Sequence, residues 1–253
     1  MSNIYEALER AQRERNSAVA VEMIPLGDIT TGTKEIPTLP RPVSGEAMVG
    51  DEAIVDLYRS ILDLLPEHEQ VMVQFASSQS GEGVSTIVNE VARTVADRFS
   101  KKVLLVNATR SFEQNGSFSE EWESWNTTPD LCGGNGTACF QTKYNNLWVA
   151  TLPVGRSAAS YGDLDARVSQ LKGTWQKFDL VLVDCPPLLE EPDSFELVRN
   201  VDGVVLVLEA ERTKCSVTEN VKERIVRNGG NILGVVFNKR RYHIPACIRN
   251  WLH

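Results

Sequence analysis

The sequence predicts a doubly wound parallel α/β sheet with helices on both faces. Three observations carry that expectation. Six apolar runs rich in Val, Leu and Ile read as strands buried on both faces, not as half-exposed strands of alternating polarity. Segments of helical period stand between the runs, the grammar of strand–helix–strand crossovers. A glycine-containing stretch, "SGEGVST" from Ser80 to Thr86, falls between the first run and its following helix. Open α/β sheets bind their ligands at that place, beyond the carboxyl ends of the strands.

The elements follow in order. Residues 3–15 read as a short amphipathic helix: Ile4, Ala7, Leu8 and Ala11 recur at i, i+3, i+4 and i+7, and Asn3 with Glu6 fits a capping box. So short a helix is marginal alone, so it must dock on its own domain or on a partner. Residues 16–50, including "TTGTKEIPTLPRPVSGE", are rich in Thr, Pro and Gly and read as a flexible linker. "EAIVDLYRSILDLL" has a helical period. "QVMVQFASS" is a buried strand that runs into the glycine stretch, and "STIVNEVARTVADRF" is the helix after it. "KKVLLVNAT", "NNLWVATLPVG", "FDLVLVDCPP", "VDGVVLVLEA" and "NILGVVFNK" are the remaining strands, and "TKCSVTENVKERIVRN" is a crossover helix. Residues 108–146 form a long irregular insertion whose Trp122 and Trp125 mark either a contact surface or a fold-back onto the domain. Lys239, Arg240, Arg241 and Arg249 stand among Ile244, Ile248, Trp251 and Leu252. That basic amphipathic end suits an anionic membrane surface or membrane partner, or packs on the domain by its apolar face. The expected layout is therefore an N-terminal helix (1–15), a linker (16–50), one α/β domain (51–241) and a basic tail (242–253).

Bulk properties exclude several classes. The 253 residues carry 42% hydrophobic and 24% charged residues, ordinary for a globular protein. A net charge of -8 argues against a general nucleic-acid binder, which must neutralise phosphates. Five cysteines, an odd count without C-x-x-C, argue against a disulfide framework. Cys132 and Cys139 share the loop "LCGGNGTACF" and are the one pair placed to bridge or to hold a metal, but no His or third Cys stands beside them. The opening "MSNIYEALERAQRERN" is charged where a signal peptide needs an apolar core, and no run reaches the roughly 18 apolar residues of a membrane span. A cytoplasmic protein is expected, at a membrane only peripherally or through a partner.

"SGEGVST" approaches the phosphate-loop pattern G-x-x-x-x-G-K-[ST]. Gly81 and Gly83 allow close backbone approach, and the helix start favours an anion. The Lys position holds Val84, and Ser78 stands where the first Gly is usual. Ser85 keeps the hydroxyl that reaches Mg²⁺. About 100 residues further on, the strand "LVLVDCPP" ends in Asp184, a carboxylate placed to hold the Mg²⁺ shell opposite the loop. Cys185 reads as a packed thiol, since no His is placed to activate it. His68, His243 and His253 are scattered and suggest no metal site.

In these segments the chain resembles the bacterial tyrosine kinases of capsule and exopolysaccharide synthesis, within the deviant-Walker P-loop ATPase group. The resemblance spans about 51–241 and rests on "ASSQSGEGVST", "KKVLLVNATR", "NLWVATLPVG", "FDLVLVDCPP", "VDGVVLVLEAERT" and "ILGVVFNKRR". The opening "MSNIYEALERAQ" also resembles the start of stand-alone members. The resemblance implies a P-loop NTPase-like fold, ATP or ADP with Mg²⁺, a nucleotide site at Ser80, Gly81, Glu82, Gly83, Val84, Ser85, Thr86 and Asn238 (near the adenine), and Mg²⁺ on Ser85 and Asp184. Asp184 would also be the catalytic carboxylate of an active enzyme.

The departures are consistent with one another. The family's loop Lys is Val84. Its acidic D-x-D pair at the end of the second strand is Asn107 and Thr109. Its Glu and two Arg for self-association become Asp56, Arg59 and Leu62, and its tyrosine-rich tail shrinks to Tyr242. Phosphoryl transfer depends on positioning and charge neutralisation. A single key electrostatic donor contributes about 2.7–4 kcal/mol in a transition state, and the metal and base functions are missing as well. The expected role is a degenerate, kinase-like regulator of polysaccharide assembly or export, acting through a membrane co-polymerase or an active paralogous kinase, with homo-oligomers open. The alternatives are an active ATP-dependent tyrosine autokinase, a partition-type ATPase switch and a nucleotide-free interaction scaffold. Arg110 and Arg212 read either as phosphate contacts or as solvated surface charge.

Overall fold

The computed structural model describes residues 23–25, 51–65, 70–109, 126–127, 139–153, 168 and 175–239. The helix expected at 3–15, the basic tail at 242–253, and Arg110, Trp122, Trp125 and Cys132 lie outside them.

All six strands expected from the apolar runs form: β2 (Val71–Ser77), β3 (Val103–Thr109), β6 (Leu147–Pro153), β7 (Leu180–Asp184), β8 (Gly203–Glu209) and β9 (Ile232–Asn238). They pair parallel in the order β9-β8-β2-β7-β3-β6. Three short strands extend the edges: β1 (Met23–Pro25) pairs antiparallel with β9, β5 (Cys139–Gln141) with β6, and β4 (Asn126–Thr127) with β5. Two expectations need adjusting here. The 16–50 stretch is not wholly linker, because Met23–Pro25 joins the sheet, and the 108–146 insertion supplies two edge strands. Elements of two or three residues leave no periodicity to read in a sequence.

Among the described residues the helices are α1 (Asp51–Leu64), α2 (Val84–Arg98) and α3 (Cys215–Arg227), with a 3-10 helix at Pro192–Asn200. Period-2 alternation sends each strand's side chains to both faces. Val71, Val73 and Phe75 of β2 pack with Ile54, Leu57 and Ile61 of α1 and Ile87, Val88 and Val91 of α2. Met72 and Ala76 face the opposite layer, with Trp148, Trp175, Phe178, Phe195 and Ile225. Both layers are continuous cores, which is why the strand runs are apolar throughout.

The cysteines are mixed. Cys185 and Cys215 are free, and Cys139, a cysteine of the loop that the sequence allows to bridge, is disulfide-bonded, although no disulfide framework is expected. Burial pushes the Cys185 thiol up to about 12, against hydrogen bonds with Ser194 and Gln74 that work downward. It is a packed core thiol, as its surroundings in the sequence suggested.

Register brings the site together. Asp184 lies opposite Phe75 on one side and Asn107 on the other, and Glu209 opposite Asn238. The carboxyl ends of β2, β3, β7, β8 and β9 thus share one edge, with the turn between β2 and α2 at its centre.

Candidate functional site

The glycine turn has the backbone its sequence requires. Gly81 and Gly83 take φ of 84° and 94°, in the left-handed region where only glycine is unstrained. Gly83 caps α2 without a side-chain hydrogen bond to the helix start. The first-turn N–H groups of a helix have no intrahelical acceptor, so this end is suited to an anion. A Cβ on Gly83 would stand 2.1 Å from Asn238 Nδ2, so the close packing of β9 against the turn also demands glycine.

Side chains from four elements hold the turn. Glu82 is 3% exposed and folds inward. Its carboxylate accepts the Ser78 amide at 2.7 Å and the Gln79 amide at 2.9 Å, and the Ser78 and Thr213 hydroxyls also donate to it. Asn238 Nδ2 donates to the Glu82 carbonyl at 2.9 Å, while its Oδ1 accepts the Lys239 amide at 2.8 Å. Lys239 Nζ donates to the Gly81 carbonyl at 2.5 Å and reaches Glu209 at 3.4 Å. Ser80 donates its amide to Glu190 Oε1 at 2.8 Å.

The residues expected to carry the chemistry divide. Ser85 and Asp184, the proposed Mg²⁺ pair, are brought together. Burial lifts the Asp184 carboxyl from 3.8 to about 6, and a hydrogen bond with Ser85 works downward. A buried carboxylate and a hydroxyl suit Mg²⁺ carried in on phosphates, since that ion rarely uses an all-protein cage. Among the described residues, no group of three His, Cys, Asp or Glu could hold a metal unaided. The Ser85–Asp184 pair fits Mg²⁺ carried in with a nucleotide.

Val84 is 7% exposed and packs in the α1–α2 core, where the loop pattern has a Lys. Ser80 and Gly81 are exposed on the turn, and Thr86 is exposed at the start of α2. Glu82 and Asn238 spend their side chains on the turn itself, so within the nucleotide set Glu82 offers only its backbone outward. Arg212 bonds Glu209 at 3.0 Å on the surface, the solvated reading of that residue. Asp56, Arg59 and Leu62 lie together on the outer side of α1, Arg59 and Asp56 3.7 Å apart.

Sequence reasoning missed Glu190 and Thr213 as holders of the turn, and read Lys239 only as part of the basic end, whereas it bonds Gly81 and Glu209. Only Lys239 carried a signal, as a charge beside Asn238. The other two matter because the chain crosses back over the turn, which no local pattern reveals.

No family model matches the chain. It is 25% identical over 174 residues to tyrosine-protein kinase CpsD of Streptococcus agalactiae, covering 68% of this chain and 76% of that protein. It is 23% identical over 183 residues to the putative tyrosine-protein kinase CapB of Staphylococcus aureus, covering 68% and 77%. Among solved structures, the kinase domain of the Escherichia coli tyrosine kinase ETK superposes with a TM-score of 0.62 at 21% identity, over 92% of this chain and 96% of that one. The chimerical protein CapA2B2 superposes with a TM-score of 0.60 at 21% identity, over 78% and 87%. These two structures share the α/β P-loop fold described above.

Proposed function

We propose that this chain, a member of the bacterial tyrosine kinase family, is a nucleotide-binding regulator of capsule or exopolysaccharide assembly that has lost efficient phosphoryl transfer. One observation carries the reading: the loop keeps its glycine backbone and its Ser85–Asp184 pair, while Val84 is absorbed into the core. The amides of the turn and the start of α2 would hold phosphates, Ser85 and Asp184 would hold Mg²⁺, and the Asn238 side of the site would face the base. Bound Mg²⁺ would supply charge neutralisation on the phosphates.

The catalytic deficit follows from the same residues. Val84 brings no charge to the β- and γ-phosphates, where one electrostatic donor contributes about 2.7–4 kcal/mol to a transition state. Asn107, facing Asp184 across the sheet, is an amide, so neither a second metal carboxylate nor a base stands there. Binding tolerates these losses better than catalysis does, because backbone amides and helix ends carry much of it.

A regulatory role then runs through a partner: a membrane co-polymerase or an active paralogous kinase at the inner face of the membrane. No described helix is long and apolar enough to cross a membrane. The capsule-kinase relatives support this assignment by kinship.

The retained Ser85–Asp184 pair favours one other reading, a slow autokinase. Titration of the full chain with ATP and ADP in Mg²⁺, followed by phosphotyrosine mass spectrometry, tests both. Binding without phosphotyrosine is expected. No binding at millimolar nucleotide would overturn every nucleotide-dependent reading, and phosphotyrosine on the chain would favour the autokinase.

A further inference from the structure

The segment after β7 turns back over the phosphate loop. Leu188 donates its amide to the Ser77 carbonyl at 2.9 Å and Leu189 to the Ser78 carbonyl at 3.4 Å. These bonds lay the chain along the turn and deliver Glu190, whose Oε1 accepts the Ser80 amide at 2.8 Å. A carboxylate of the protein is therefore seated on a backbone N–H of the loop built to receive phosphate.

The sheet tells which end of the loop this is. Asn238 and Lys239 hold the turn from β9, on one side of β2, while Asp184 closes it from β7, on the other. Mg²⁺ held by Ser85 and Asp184 would neutralise the terminal phosphates of a nucleotide, so the Ser85–Asp184 side would be the terminal-phosphate side. Glu190 descends from that side, six residues after Asp184. It brings a negative charge toward the γ-phosphate position, and buried Val84 offers no cation to offset it. Like charges brought face to face are a general means of rejecting the wrong ligand.

We propose that Glu190 is a specificity-determining residue: it stands in for a terminal phosphate on the Ser80 amide, so the loop accepts a nucleoside diphosphate in preference to a triphosphate. The inference rests on the nucleotide-binding reading above. It gives the regulator a ligand state of its own, the diphosphate form, without turnover.

Calorimetric titration of the full-length chain in Mg²⁺, with ADP and the non-hydrolysable triphosphate AMP-PNP, tests it on the wild type and on Glu190→Gln. Glu190 is exposed, so the substitution leaves the core untouched, and circular dichroism checks the fold. The wild type should bind ADP about tenfold more tightly than AMP-PNP, the scale of one charge-assisted hydrogen bond. In Glu190→Gln the ratio should fall to about twofold through a gain in AMP-PNP affinity, since one charge is removed and the shape kept. High salt should narrow the wild-type ratio. AMP-PNP binding seen only in the variant also supports the proposal. Equal affinities in the wild type, or an unchanged ratio in the variant, overturn it and leave the nucleotide reading standing. Failure of both proteins to bind either ligand overturns both.

Discussion

The two ends of the phosphate loop are built on different plans. On the β9 side, Asn238, Lys239, Glu82 and Thr213 tie the turn down with hydrogen bonds to its backbone and to one another. On the β7–β3 side, Val84 packs into the apolar core and neutral Asn107 stands opposite Asp184. The residues of the first end set the shape of the loop. On the reading proposed above, the second end lacks the charge that transfer needs, and Val84 serves there as a buried core residue instead.

The comparison is broken most forcefully from the β9 side. Gly83→Ala places a Cβ against Asn238 in a left-handed backbone, and both strain and overpacking oppose it. Urea unfolding should show a loss of about 3 kcal/mol. An unchanged midpoint would mean the clamp is slack.

At the other end the sign reverses. Asp184 is buried and its carboxyl sits at about 6, above the 3.8 of an unfolded chain. The native state therefore holds its proton more tightly, and stability falls as pH rises from about 4 to about 6. Asp184→Asn should stabilise the protein at pH 7 by about 3 kcal/mol, with the gain vanishing below pH 4. The same variant should lose Mg²⁺-dependent nucleotide binding. A stability-versus-pH series reads the first effect and the nucleotide titration the second, and a destabilised Asn variant would show that Asp184 holds structure rather than a ligand.

Asn238→Ala leaves the Glu82 carbonyl without its donor and should cost about 1–3 kcal/mol, with weaker nucleotide binding in the same titration. Thr213→Val removes one hydroxyl from the Glu82 carboxylate and should cost about 1 kcal/mol. Differential scanning calorimetry separates the two, and a Thr213 effect larger than that of Asn238 would move the centre of the clamp toward α3.

Much of this was legible in the sequence, for physical reasons. Six strands buried on both faces must be apolar throughout, so their positions were visible. Ser85 and Asp184 could be paired because each sits at a strand end or helix start that the pattern locates. β1 could not be seen: three residues in a Pro- and Thr-rich stretch have no period, and only β9 gives them partners. β4 and β5 were hidden for the same reason. The inward turn of Glu82 and the reach of Glu190 depend on chain crossings distant in sequence, so the sequence named the loop but not what fills it. An odd cysteine count argues only against a disulfide framework, and Cys139 is one of the two cysteines that their shared loop allows to bridge.

The central claim is that the loop retains its shape while transfer chemistry has gone from Val84, Asn107 and Thr109. The most direct measurement compares phosphate released or transferred from Mg²⁺-ATP by the wild type and by the triple variant Val84→Lys, Asn107→Asp, Thr109→Asp. The account predicts no turnover above background in the wild type and a measurable gain in the variant, with one restored electrostatic donor alone contributing about 100-fold or more. Turnover by the wild type equal to that of the variant would contradict it.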